Sequence, residues 1–152
     1  RGVLTALGSF QVAGGPKGLE IGTQAPDFAL ADTEGQTVTL ANLTGEQVLL
    51  AFSSTQCSAC IAMYSQLKAF SEGDQNIRVV MVSRGTVEEN HRLVEEQGFA
   101  FRVLTWEDAV ASEYQVPGTP FFYVIDEEGV IINRGFGNSL GQLEKLVKDS
   151  GG

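Results

Sequence analysis

The chain carries two cysteines, Cys57 and Cys60, inside the run FSSTQCSACIAMYSQLKAF from Phe52 to Phe70. Ser58 and Ala59 separate them. A Cys-x-x-Cys spacing can close a structural staple, supply half of a metal site, or run thiol–disulfide exchange. A bridge over so short a loop restrains the unfolded chain little, because the entropy term grows with loop length. A zinc site wants four N, S or O ligands, and His91 is the single histidine. It falls in the middle of a helix expected on the surface. Covalent haem attachment wants His directly after the second Cys, where Ile61 stands. Redox exchange fits the surroundings better. At a strand-to-helix junction the first sulfur meets unpaired N–H groups and the positive end of the helix dipole. Both lower a cysteine pKa from about 8.5 towards roughly 3.5–7.5. We therefore expect Cys57 to attack and Cys60, one turn inward, to resolve the mixed disulfide. No metal and no cofactor beyond the pair itself are expected.

The elements that must position this pair are read from periodicity. Phe28–Leu30 and Val38–Leu40 flank Asp32-Thr-Glu-Gly35, which predicts an antiparallel hairpin. Val48–Phe52 is a continuous apolar run, as in a strand buried on both faces. Cys60, Ile61, Tyr64, Leu67 and Phe70 follow at helical spacing. Ile77–Val82 reads as a second buried strand. Thr86-Val-Glu-Glu89 is a capping box for a helix ending at Gly98. Phe101–Leu104 is a short strand, and Thr105 is expected to cap a brief helix towards Tyr114. Phe121–Ile125 and Val130–Arg134 flank Asp126-Glu-Glu-Gly129, a second hairpin. Ser139-Leu-Gly-Gln142 caps a terminal helix with Lys145 and Lys148 placed late, as its dipole prefers. Strands alternating with helices predict an α/β fold with parallel central strands and an antiparallel edge. Residues 1–20 read as a Gly-rich flexible lead-in or juxtamembrane segment, with a short strand around Phe10–Val12. The domain is expected over 21–152.

Composition narrows the functions. The 152 residues fit one domain with a core of its own. A net charge of −9 with scattered basic residues argues against a nucleic-acid surface. No apolar run approaches the roughly 18–20 residues of a membrane helix. The sequence begins with Arg1 rather than Met, so we expect a trimmed or processed chain, one that a targeting or anchoring segment could have preceded.

A family resemblance covers about Ile21 to Lys148. Gly22-Thr-Gln-Ala25-Pro26-Asp27-Phe28-Ala-Leu30, then Asp32, Gly35, Val38 and Leu40, then a strand and Cys57-Ser-Ala-Cys60, resemble thioredoxin-fold proteins of TlpA and ResA type. Gly118-Thr119-Pro120-Phe121 resembles the loop that carries that family's cis-proline. The subfamily it resembles most is the MauD type, accessory proteins of methylamine dehydrogenase maturation, which lack the usual Trp before the first Cys; here that residue is Gln56. The resemblance implies a three-layer α/β/α thioredoxin-like fold, with a mixed sheet and an N-terminal hairpin extension. It implies a thiol–disulfide oxidoreductase outside the cytoplasm, periplasmic or tethered to the membrane. Its partners would be client proteins with cysteines and an upstream redox partner, met by a monomer. Pro120 would be cis and face Cys57, and Thr119 would offer its backbone to a client as an added strand. Ser58, Ala59, Thr119 and Pro120 are thus the expected client contacts.

The departures are as informative. Thioredoxins place a buried Asp where Ala51 stands, and ResA-type proteins place a Glu near Ser83-Arg84-Gly85-Thr86, where there is no acid. Arg84 is expected to be a solvated loop residue. Tyr64 and Trp106 are expected to pack rather than react. Two rival functions remain. A peroxiredoxin-like peroxidase shares the Ala-Pro-Asp-Phe opening but wants Pro seven residues before its cysteine; Leu50 and Ser53 stand there. A Cu(I)-binding module would use the thiolate pair on a soft ion, with a nearby histidine that His91 is poorly placed to supply.

Overall fold

The computed structural model describes residues 17–73 and 76–150. The expected strand around Phe10–Val12 lies outside them. The elements run β1 (Ala29–Ala31), β2 (Thr37–Thr39), a 3-10 turn (Leu40–Asn42), β3 (Gln47–Ser54), α1 (Ser58–Gly73), β4 (Ile77–Arg84) and α2 (Val87–Gln97). They continue with β5 (Arg102–Thr105), α3 (Asp108–Glu113), β6 (Phe121–Ile125), β7 (Ile131–Phe136) and α4 (Leu140–Ser150). The expected order of hairpins, strands and helices is the observed one.

The main sheet has five strands in the order β5-β4-β3-β6-β7. β3 pairs with β4, and β4 with β5, in parallel; β6 and β7 add antiparallel pairs. β3 is central, which is why Val48–Phe52 is apolar without a break. Val48, Leu50 and Phe52 point into one core layer with the N-terminal hairpin, Val110 and Tyr114. Leu49 and Ala51 point into the other, with Met63, Tyr64 and Leu67 of α1, Leu93 of α2 and Leu143 of α4. This is the three-layer α/β/α arrangement with a mixed sheet.

Both hairpin turns use one device. The Asp32 carboxylate accepts from the N–H of Glu34 and Gln36 at 2.8 and 2.9 Å. The Asp126 carboxylate accepts from Glu128 and Val130, both at 2.9 Å. Each turn closes on a glycine with positive φ, Gly35 at 80° and Gly129 at 86°, a region costly for residues with a Cβ. The Ala-Pro-Asp-Phe motif has a structural task too. Asp27 accepts from the N–H of Phe28 and Leu40 at 2.8 and 3.0 Å and so ties the hairpin down. Asp32 also bridges to Leu104 on β5, which covers that sheet edge. Gly18 and Leu19 already touch the domain, through Arg134 and the Tyr123 hydroxyl.

Three local expectations need correction. Thr105 ends β5 and caps nothing; α3 starts after Glu107, which makes no side-chain cap bond. Ile61 is 51% exposed, and Met63 takes the core position beside Tyr64. Ile61 lies at the edge of the apolar stripe, in the first turn of α1. Finally, Gln142 reaches the N–H of Asn138 rather than that of Ser139, while Ser139 accepts from Gln142 as expected. The Thr86–Glu89 capping box forms in both directions, and Gly98 ends α2 in the left-handed conformation.

Candidate active site

The cysteine pair sits where β3 ends and α1 begins. Cys57 occupies the position before the first helical residue, and its carbonyl accepts from Ile61 N–H at 3.0 Å. Its sulfur accepts from Cys60 N–H at 3.2 Å. Cys57 therefore does what a capping oxygen usually does, with sulfur in its place. The cap satisfies an orphan donor of the helix, and the helix in turn favours negative charge on the sulfur. Cys57 is half-buried, whereas Cys60 is 1% exposed.

The Thr119–Pro120 bond is cis. The Cys57 thiol donates to the Thr119 carbonyl at 3.6 Å, so the proline loop faces the sulfur across 62 positions of sequence. Pro120 is buried; Thr119 is half-buried; Ser58 and Ala59 are exposed beside the pair. Of the four expected client contacts, Thr119 meets the sulfur directly, Pro120 follows Thr119 in the same loop, and Ser58 and Ala59 open the helix that Cys57 caps. Exposed Ile61 and exposed Phe136 add apolar surface around them. Phe136 packs against Phe121 and lies over Gly118 of the same loop. Sequence reasoning missed Phe136, because nothing local marks the end of an edge strand as a neighbour of the proline loop.

The two thiols are unlike. Burial works against ionisation at Cys57, but hydrogen bonds from the Cys60 thiol, from the Thr119 side chain and from the N–H groups of Cys60 and Ala59 prevail. Its pKa falls below the ordinary thiol value. Burial pushes the Cys60 thiol up, and its contact with Cys57 pushes the same way. In the reduced protein, alkylation of Cys57 by iodoacetamide should reach half its maximal rate at a lower pH than for an ordinary cysteine thiol. Cys60 should stay unmodified while the fold is intact. Peptide mapping of the alkylated protein across pH checks both; a half-point at or above the ordinary value would show that the helix end does not activate Cys57.

This arrangement, a Cys-x-x-Cys cap on a helix facing a cis-proline loop in a mixed five-stranded sheet, can be set beside known proteins. Residues 21–134 match the AhpC/TSA family. The chain belongs to that family. The methylamine utilization protein MauD of Paracoccus denitrificans is 33% identical over 135 residues, 86% of this chain and 66% of its own length. The thiol-disulfide oxidoreductase ResA of Bacillus subtilis is 31% identical over 127 residues, 80% of this chain and 70% of that protein. A solved structure of a putative thiol:disulfide interchange protein DsbE from Chlorobium tepidum superposes with a TM-score of 0.73. It is 25% identical and covers 88% of this chain and 99% of its own. The likeness to ResA and MauD types read from the motifs is thus matched along most of the chain. This family member spans just under two thirds of the MauD relatives' length.

The remaining candidates are engaged with other partners. Arg84 is not a free loop cation: it pairs with Asp108 at 3.0 Å and lies 5.1 Å from the Trp106 ring centroid. Trp106 donates to the same carboxylate at 2.8 Å and packs edge-on against Phe52. His91 lies on α2 between Glu34 and Glu95, at 3.6 and 3.3 Å. No described helix is long and apolar enough to cross a membrane. Among the described residues no group of three His, Cys, Asp or Glu side chains is placed to hold a metal.

Proposed function

We propose that this domain is a protein thiol–disulfide oxidoreductase that exchanges the Cys57–Cys60 pair with cysteines of client proteins. The observation that carries the reading is the inequality of the two sulfurs. Cys57 is accessible, capped onto a helix and easier to ionise; Cys60 is buried behind it and harder to ionise. Exchange chemistry needs that division, because the thiolate is the nucleophile and the second thiol must wait for the mixed disulfide.

Catalysis follows in two transfers. The Cys57 thiolate attacks one sulfur of a client disulfide, and the other client sulfur leaves with the electron pair. Cys60 then attacks the Cys57 sulfur, closes the Cys57–Cys60 disulfide and frees the second client sulfur. Read backwards, the same steps oxidise a client dithiol. Thr119 pairs with the client backbone beside the sulfur. Pro120, Ser58 and Ala59 complete the contact surface. The names of the relatives, a thiol-disulfide oxidoreductase and a thiol:disulfide interchange protein, support clients that carry cysteines and a redox partner that resets the pair; periplasmic placement and a membrane tether belong to the same reading. The net charge of −9 supports protein clients over nucleic acid.

The test is reduction of insulin disulfides by the domain under dithiothreitol recycling. Turnover is expected with the intact pair and none with Cys57→Ser. Turnover of hydrogen peroxide that outruns insulin reduction would move the function to a thiol peroxidase. Tight Cu(I) binding lost in His91→Ala would move it to a copper-binding module.

A further inference from the structure

The site must take a proton from the buried Cys60 thiol when the mixed disulfide resolves, yet no acid stands behind it. Ala51 is 1% exposed and packs among Leu49, Met63, Tyr64 and Leu67. At the end of β4 the Arg84 side chain is engaged with Asp108, and the Ser83-Arg84-Gly85-Thr86 stretch carries no acid. What lies behind Cys60 instead is a band of buried hydroxyl and amide groups.

The band follows from strand register. Ser53 of β3 pairs laterally with Ser83 of β4, and Ser83 with Thr105 of β5. Lateral partners point to one face of a sheet. Leu49 and Ala51, Val79 and Met81, and Val103 show that it is the face covered by α1 and α2. Asn90 of α2 closes over the row and donates from its amide to the Ser83 carbonyl at 3.2 Å. Four atoms in this region are buried with no hydrogen-bond partner: Tyr64 Oη, Ser83 Oγ, Asn90 Oδ1 and Thr105 Oγ1. A buried polar atom left unpaired costs roughly 1–3 kcal/mol. So many together at the active-site end of the sheet call for a reason.

Tyr64 is the member nearest the chemistry. It follows Cys60 by one helical turn, so both lie on the same face of α1. A long side chain on a helix leans back towards the N-terminal turn, and here that turn holds the cysteines. Its residue is 4% exposed, its ring is fixed edge-on against Phe99 at 5.6 Å, and its hydroxyl has no partner. Ser53, 3% exposed, is close enough to interact with both the Cys60 thiol and the Tyr64 hydroxyl. On its other side Tyr64 reaches a cleft of about 330 Å³ between the start of α1 and α2, with Gln56 and Ile61 on one wall and Glu89, Arg92 and Glu96 on the other.

We infer that the Tyr64 hydroxyl, with Ser53, handles the Cys60 proton and so takes the place of a buried carboxylate. The inference rests on the oxidoreductase reading. In the resolving step the Cys60 sulfur forms a bond to Cys57 Sγ and the bond from Cys57 to the client sulfur breaks. Two electrons leave with the client sulfur, which takes a proton from water. The Cys60 proton passes to Ser53 Oγ, Ser53 gives its own proton to Tyr64 Oη, and Tyr64 gives its own to water entering from the cleft that its side chain lines. The groups facing Cys60 are Cys57 at the cap of α1, Tyr64 from α1, Ser53 and the Ser54 backbone from β3, and Thr119 from the proline loop. Glu89, Arg92 and Glu96 line the outer wall of the cleft.

The test separates the two transfers. The domain is loaded at Cys57 with a thionitrobenzoate mixed disulfide, and release of the coloured thiolate reports resolution by Cys60. Tyr64→Phe keeps the ring and removes the hydroxyl; Ser53→Ala guards against a folding fault in the first variant. Each should slow release roughly tenfold or more near neutral pH, within the range of a lost proton-transfer group. Each should also shift the pH profile of release upwards, while the rate of iodoacetamide attack on Cys57 and its pH profile stay as in the parent. Release with unchanged rate and pH profile in both variants overturns the inference. Failure of the parent protein to resolve the mixed disulfide at all would remove the underlying reading with it.

Discussion

Cys60→Ser should leave the domain covalently bound to its clients, and Cys57→Ser should leave it bound to none. The expectation comes from access. Cys57 reaches solvent at the helix cap, while Cys60 is 1% exposed beneath it. With Cys60 removed, the attack on a client still occurs, but nothing displaces the client sulfur. The mixed disulfide then persists until an external thiol breaks it. With Cys57 removed, the remaining thiol is buried, hard to ionise and unable to meet a client. Non-reducing gels of acid-quenched cells expressing each variant should show dithiothreitol-sensitive bands for Cys60→Ser alone. Equal trapping by the two variants would contradict the division of roles. Catalysed exchange should vanish in both, because the cycle needs both sulfurs.

Phe52→Ala should remove a large part of the fold's stability without touching the cysteine chemistry. Phe52 is fully buried on the central strand, on the face away from α1. Its ring packs against Trp106, Tyr114 and Tyr123 at centroid distances of 5.8, 5.3 and 6.2 Å. These aromatic neighbours are rigid and anchored, so the space cannot collapse. Truncating a buried Phe to Ala costs about 3–5 kcal/mol, against a total stability of about 5–15 kcal/mol for a typical domain. Urea unfolding of the reduced protein should show a lower midpoint with a similar slope. In the folded fraction, Cys57 should alkylate as in the parent. A loss below about 1 kcal/mol would mean that the aromatic cluster repacks, which these contacts argue against.

Most of the frame was legible because its signals are local. Asp32 and Asp126 mark turns through their own carboxylates, and Gly35 and Gly129 supply the backbone that closes them. Thr86 and Glu89 satisfy each other across one helical turn. Val48–Phe52 announces a central strand because both its faces meet apolar layers. Thr105 was misread because Ser and Thr precede helices and end strands alike, and pairing with Ser83 decided which. Ile61 was misread because helical period sets a face but not how far the core extends along it. The site was legible as a pair of cysteines and a proline loop. The apolar rim at Phe136 and the polar band through Ser53, Ser83 and Thr105 were not, since each exists only once distant strands come into register.

A redox titration of the intact domain in glutathione buffers tests the central claim most directly. The fraction of linked Cys57–Cys60 would be read by mass after trapping free thiols. The account predicts one two-electron transition between dithiol and intramolecular disulfide, at a potential between about −270 and −120 mV, where exchange proteins of this kind work. A disulfide that resists reduction below about −300 mV would mark a structural bridge. Two thiols that take up glutathione independently, with no linked form, would equally contradict a redox pair.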